Sequence, residues 1–315
     1  MYRALKQQGV AGVVIAALLA VPASALAQAW LPPKGEASLS VGYEYVLVKD
    51  HLFSGGERQD RGHIRENSLL PDLGYGITDK LAVRIGLPYM SAKYNGARPH
   101  QLPIDDGSYH GTFQDLRFEV RYMALSGPLV VTPFAAAVVP SHDYIYFAHS
   151  AVGRDLKEGS FGVNLARRLD PILPDAYMHG RYTFTLVEKV LHMSHNRSNF
   201  DLELGYFLTP AISVRALGAW ERGYGGINLP VTGTPLPLFL YHDQLGRTEY
   251  FNVGGGMAYA ATANLDLFGN WFTTVSGKNS HAIHNAFIVG AGVNFSPAQL
   301  VRKMTHRESR PARQQ

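Results

Sequence analysis

Near its C-terminus the chain places an apolar residue at every second position of Phe287, Val289, Ala291, Val293 and Phe295, with Gly290, Gly292 and Asn294 between them. Side chains on a β-strand alternate between two faces, so this stretch has one apolar face and one small or polar face. Lipid cannot satisfy polar groups, and a strand crossing a bilayer must turn its apolar face outward and close into a barrel. The aromatic end suits the closing strand of such a barrel, with Phe287, Val289 and their partners in lipid and His284, Ala286, Gly290, Gly292 and Asn294 facing the interior.

The N-terminus agrees with that destination. Arg3 and Lys6 precede an apolar run from Val10 to Val21, and Ala25-Leu26-Ala27 forms a small-x-small cleavage site before Gln28. Residues 1–27 therefore read as a cleaved signal peptide, and the apolar run is too short for a spanning helix, which needs ~20 residues. The absence of cysteine excludes disulfides, thiolate metal sites and a cysteine nucleophile. The formal charge of +4 gives no basic face, because acids and bases are interleaved, and nucleic acid is not an expected partner.

Alternating segments recur along the chain with connections that switch between short and long. Twelve strands are predicted: 36–48, 64–75, 81–89, 114–124, 129–139, 159–169, 176–187, 198–208, 211–221, 249–259, 265–275 and the closing stretch. Tight connections such as Gly76-Ile77-Thr78-Asp79-Lys80, Ser126-Gly127-Pro128 and Thr209-Pro210 alternate with polar or glycine-rich ones, 50–62, 91–110, 140–157 and 222–247. The fold class is all-β, a transmembrane antiparallel up-and-down barrel of about twelve strands over residues 28–295. An even strand number puts both ends in the periplasm and six longer loops outside. The basic segment 296–315 reads as a disordered tail.

Parity places charges inside. Glu44, Arg84, Asp115, Arg117, Glu119, Arg121, Arg181, Asp201, Glu203 and Arg215 are the predicted lumen-lining residues, with Glu66, Asp72 and Asp266 of the same parity. Charges of both signs in one cavity fit a water-filled lumen that filters solutes, or a salt-bridged interior that fills the barrel.

Several segments resemble a family of bacterial outer-membrane proteins labelled by the MetA pathway of phenol degradation and described as transporters. The likeness is carried by Asn67-Ser68-Leu69-Leu70, Leu73-Gly74-Tyr75-Gly76-Ile77-Thr78-Asp79-Lys80-Leu81, Leu87-Pro88-Tyr89, Gln114-Asp115-Leu116-Arg117 and Leu204-Gly205-Tyr206-Phe207-Leu208-Thr209-Pro210. The chain departs from the family pattern at Thr112-Phe113-Gln114-Asp115, where Gly-x-Gly-Asp is expected, and at Pro140-Ser141-His142, where Pro-Thr-Gly is expected. The resemblance implies a barrel that passes small, often hydrophobic or aromatic compounds across the outer membrane.

Histidines gather in the loops or at strand edges: His51, His63, His100, His110, His142, His149, His192, His195, His242, His281 and His284. Imidazoles ligate transition metals, and the pairs His192 with His195 and His281 with His284 are the nearest candidates, although no spacing defines a site. No cofactor is expected. The reading is a non-enzymatic outer-membrane transporter or channel for small organic solutes, passive in operation. Its partners are outer-membrane lipid, the solute, and the barrel-assembly machinery through the Phe287–Phe295 strand. The alternatives are a membrane-embedded hydrolase using His195 and Ser198, a metal-binding surface barrel, and a structural or adhesive barrel. Residues three apart on a strand face opposite ways, which opposes the hydrolase.

Overall fold

A computed structural model describes residues 29–96, 104–229, 235–300 and 302. The signal-peptide reading, His100 and most of the basic tail lie outside them. The described chain is a closed antiparallel barrel of twelve strands: β1 (Ala37–Leu52), β2 (Arg58–Thr78), β3 in two pieces (Leu81–Gly86 and Tyr89–Asn95), β4 in two pieces (His110–Phe113 and Asp115–Tyr122), β5 (Leu129–Pro140), β6 (Glu158–Arg168), β7 (Ala176–Val187), β8 (His195–Thr209), β9 (Ile212–Gly225), β10 (Glu249–Thr262), β11 (Leu265–Lys278) and β12 (Ser280–Phe295). Each strand pairs with its sequence neighbours, and β1 closes the ring on β12 with Val41 opposite Ala291 and Tyr43 opposite Val289. Closure leaves no edge, so the ladder satisfies the wall's backbone groups internally.

The two breaks in the wall lie side by side. Leu87-Pro88 interrupts β3 and Gln114 interrupts β4, and the Gln114 N–H donates to Pro88 O at 2.8 Å. Proline cannot donate to a ladder, so the regular ladder is interrupted there, and Gln114 turns its side-chain amide to Val152 O at 2.7 Å.

Outward positions follow the predicted parity. Val41, Tyr43, Leu73, Tyr75, Phe118, Tyr122, Phe161, Tyr182, Tyr206 and Met257 are exposed around the ring, and Val289 is 55 % exposed. An apolar belt of this extent is what a bilayer covers. No helix among the described residues is long and apolar enough to cross a membrane.

The strands are longer than the alternation predicts. β1 and β2 continue through most of the expected loop 50–62, leaving only 53–57 to turn, and β11 and β12 meet at Asn279, whose φ is 50°. Above the bilayer a ladder needs hydrogen bonding but no apolar face, so polar residues such as Asp50, Gln59 and Arg61 extend the wall without an alternating signature. Two of the six expected long loops are therefore tight hairpins. Residues 297–300 after β12 form a helical turn, with the Leu300 N–H bonded to Ser296 O at 3.0 Å.

Two segments cross the ends of the barrel. At the short-turn end, residues 29–36 run from the β5–β6 wall to β2. Ala29 is fully buried against Val130, Ala166 and Met123, and its carbonyl accepts from Thr132 Oγ1 at 2.7 Å. Pro32 and Pro33 then pass β2, so close that a Cβ on Gly76 would lie 2.2 Å from Pro33 O. At the loop end, residues 226–229 and 235–248 form a flap with two short helices, α1 (Leu236–Leu240) and α2 (His242–Leu245). The positive φ of Gly225 and Gly226, 80° and 69°, starts its inward bend. Leu245 is fully buried with Leu156, Val187 and Val190, so this flap is packed against the loop-end rim.

Candidate functional site

Among the described residues, two adjoining chambers open in the interior. The one toward the short turns holds about 860 Å3 and is walled by Trp30, Asp72, Arg84, Arg121, Arg181, Asp201, Glu203, Arg215, Phe268 and Phe272 among others. The one toward the loops holds about 710 Å3, with Asp115, Arg117, Glu119, Arg154, Glu158 and Arg197 in its wall. Asp72, Arg84, Arg181 and Asp201 border both.

Alternate positions on paired strands put the charges side by side. Register sets Arg84 opposite Glu119, Asp201 opposite Arg181, and Asp72 opposite Gly86, which leaves room for Arg84 Nε to bond Asp72 Oδ1. Glu119 sits between two arginines, with Arg181 Nη2 at 2.5 Å and Arg121 Nε at 3.3 Å. Arg181 also donates to Asn164 Oδ1 at 3.1 Å, and Arg215 lies 3.6 Å from Glu203 while donating to Asn270 Oδ1 at 2.9 Å. Tyr177 donates to the same Glu203 at 2.6 Å. Opposed charges in contact neutralise much of the lumen while keeping its wall polar.

Nine of the ten predicted lining residues border a chamber; Glu44 faces the interior by register but belongs to neither wall. The structure adds a second ionic group that the predicted strand limits cut off. Arg197 grips Glu158 with both nitrogens, at 2.9 and 2.5 Å, and Arg154 joins at 3.0 Å. Arg197 Nε also lies 3.7 Å from Glu221, which accepts from Asn199 at 2.8 Å. Glu221 shares the parity of Arg215 and was legible on that ground; Glu158 and Arg197 lay one residue beyond their predicted strands.

Apolar side chains also point inward. Phe134 is buried inside β5, with the Arg181 guanidinium 3.7 Å from its ring centre. Because β5 is apolar on both faces, alternation gave no signal there. Phe268 lies across the β12 wall, where a Cβ on Gly290 would come within 2.5 Å of its ring. Val46, Val48, Ile64, Tyr94 and Ala286 form an apolar cluster at the loop end, with Phe272 and Ile283 against it. The lumen thus has a side dense in ion pairs, β2 to β9, and a side, β10 to β1, where small and apolar residues predominate around Glu44 and Asp266.

Loop groups tie the outer rim together. Tyr144 donates to Asp115 Oδ1 at 2.6 Å and accepts the Asp155 N–H at 2.9 Å. Burial, then the bond to Asp115, holds the Tyr144 phenol well above its usual range. Burial also raises the Asp155 carboxyl, with Asp143 adding repulsion. Burial followed by the Tyr241 hydroxyl pushes Tyr146 up to about 12. Tyr146 stacks on Tyr241 at 5.8 Å and Phe147 meets Phe239 edge-on at 5.6 Å, so the loop 141–157 and the flap close on each other.

The histidine pairs read from spacing do not form. His195 is buried with Nδ1 3.4 Å from Met193 O, while His192 is exposed at a φ of 63°. His281 pairs across the seam with His51 instead of along its own strand. A register irregularity at Leu47 and Val48 switches the parity of β12, so Ile283 packs into the interior cluster and His284, expected inside, is exposed. The hydrolase pairing also fails: Ser198 Oγ is hydrogen-bonded to the Tyr182 hydroxyl at 3.0 Å on the outward face of β8, opposite in parity to His195. Ser141 Oγ does meet His142 Nδ1 at 2.9 Å, and the Nε2 of that ring meets Thr112 Oγ1 at 2.8 Å, on the exposed end of β5.

No protein-family model and no curated protein sequence matches the chain. Among solved structures it is similar to an outer membrane channel from Pseudomonas putida F1, at 13% identity and a TM-score of 0.67, covering 87% of this chain and all of that one. The NanC porin aligns at 12% identity with a TM-score of 0.44, covering 81% of this chain and 98% of its own. The translocator domain of the autotransporter NalP from Neisseria meningitidis aligns at 13% identity and 0.44, covering 92% and 96%. Only the first of these is close enough to carry weight, and it speaks for the fold: a barrel of the kind that outer-membrane channels use.

Proposed function

We propose that this chain is a passive outer-membrane channel for small organic solutes, narrowed at the loop end by the flap and at the short-turn end by the segment 29–36. The observation that carries this reading is the pair of adjoining chambers bordered by a continuous set of charged side chains inside a closed barrel. A barrel serving only as a scaffold has no need to keep arginines and carboxylates around open volume, since packing with apolar residues avoids the cost of desolvating them. The fold similarity to an outer membrane channel supports the same conclusion. The apolar belt takes lipid as its partner, and the Phe287–Phe295 strand is the segment offered to the assembly machinery.

The two-sided lumen favours solutes with an apolar face and a polar group. Phe268, Phe272 and Trp30 offer apolar contact in the chamber where Arg84, Arg181 and Arg215 offer hydrogen bonds. Aromatic compounds bearing hydroxyl or carboxyl groups have that shape, in keeping with the family the sequence resembles.

A second reading, a barrel that does not conduct, draws on the short ion pairs and on the segments across both mouths. Single-channel recording of the mature protein in a planar bilayer separates the two. Discrete conductance steps that small phenols or benzoates block support the channel. A folded, heat-modifiable barrel that stays silent at all voltages supports the scaffold.

A further inference from the structure

The loop-end rim holds a histidine group that borders neither chamber. His51 of β1 and His281 of β12 are cross-strand partners at the seam where the barrel closes, and their Nε2 atoms are 3.1 Å apart. The two rings stand nearly perpendicular, 88°, with centres 4.4 Å apart. A third ring, His149 from the loop 141–157, lies 5.0 Å from His51 and 6.3 Å from His281. It stacks on Tyr94 at 4.2 Å.

The two Nε2 atoms are at hydrogen-bond distance, one ring donating its N–H to the lone pair of the other, and an ion bound to both nitrogens takes the place of that shared proton. An ion bonded to both nitrogens at ~2.0–2.1 Å, the usual zinc–imidazole length, subtends roughly 100° across a 3.1 Å gap, close to the tetrahedral angle. A carboxylate lies beside the His149 ring. The ring's Nδ1 lies 3.5 Å from Asp105 Oδ2, so a bond from His149 to an ion would run through Nε2. Asp105 itself is fully buried and fixed by the N–H groups of His149 and Ser150, both at 3.1 Å, and by Ser150 Oγ at 2.7 Å. A carboxylate holding the far nitrogen of a histidine is the arrangement that orients imidazole ligands in metal sites. Among the described residues no three such side chains already surround one point, so ligation requires His149, its ring centre 6.3 Å from that of His281, to move toward the pair.

We propose that His51 and His281, with His149 as third ligand, bind a borderline transition-metal ion of the zinc, nickel or copper class. The ion ties the loop 141–157 to the β1–β12 seam at the outer rim. Neutral imidazoles suit these ions, and the exposed His281 leaves a path for entry.

The test is calorimetric titration of the refolded mature protein, in detergent micelles at neutral pH, with zinc chloride and with nickel chloride. We expect saturable binding of one ion per chain at sub-millimolar concentration. His51→Ala and His281→Ala should abolish it, and Asp105→Asn should weaken it at least about tenfold. His192→Ala and His284→Ala should leave it unchanged, and heat-dependent gel mobility shows that each variant has folded. Absence of saturable binding, or binding that survives both His51→Ala and His281→Ala, overturns the site. Binding unaffected by His149→Ala overturns the third ligand and with it the tie to the loop.

Discussion

Arg181 lies over Phe134, its guanidinium carbon 3.7 Å from the ring centre, while the same guanidinium holds Glu119 at 2.5 Å. One arginine thus joins the aromatic and ionic parts of the lumen wall. Phe134→Ala removes the ring from beside the boundary shared by the two chambers, and single-channel conductance should rise; an unchanged conductance would place the solute path elsewhere.

Arg181→Gln takes one positive charge from a wall in which Glu119 already has a second partner, Arg121, at 3.3 Å. The lumen gains net negative charge, so cation preference should increase. The reversal potential in a salt gradient measures this, with Arg84→Gln expected to shift it the same way.

Neighbouring residues on β4 separate the two faces of the wall. Val120 is 48 % exposed in the apolar belt, and Val120→Arg should cost ~2–4 kcal/mol near mid-membrane. Glu119→Gln faces the lumen and should change selectivity more than stability. Urea unfolding in lipid vesicles, followed by tryptophan fluorescence, compares the two.

The segment 29–36 is held to the far wall by the Thr132 hydroxyl on Ala29 O, 2.7 Å. Thr132→Val removes that bond, worth ~1 kcal/mol, and should make the current flicker between levels. A chain beginning at Lys34 should conduct steadily at the higher level. Identical traces from all three proteins would mean that the segment lies beside the path.

Burial and Asp143 raise the Asp155 carboxyl in the folded loop above its ordinary value of 3.8. The folded loop then binds more protons than the unfolded one across that interval, so its stability falls as pH rises through it. Asp155→Asn removes the dependence, and the φ of 52° there is one that asparagine accepts. At neutral pH hydrogen exchange in 141–157 should slow in the variant, and at low pH the two proteins should converge.

The sequence by itself determined the wall. A period of two fixes which face each residue takes, so the twelve strands, the outward apolar belt and most of the charges that border the chambers could be read from alternation alone, as at Arg117 and Glu119 or Asp201 and Glu203. That signal ends where the bilayer ends, because a strand in water needs no apolar face; this is why β1, β2, β11 and β12 run past their predicted limits and why Glu158 and Arg197 were missed. It also vanishes where both faces are apolar, as around Phe134. Only the tertiary structure decided which charges meet and what crosses the mouths. Closure of β1 on β12 brings His51 to His281, residues at opposite ends of the chain, and a parity switch turns His284 away from them. Loop packing carries His149 to that seam and sets Tyr146 on Tyr241. Such contacts depend on the register around the whole ring and on the loop paths, which no periodicity within one strand can specify.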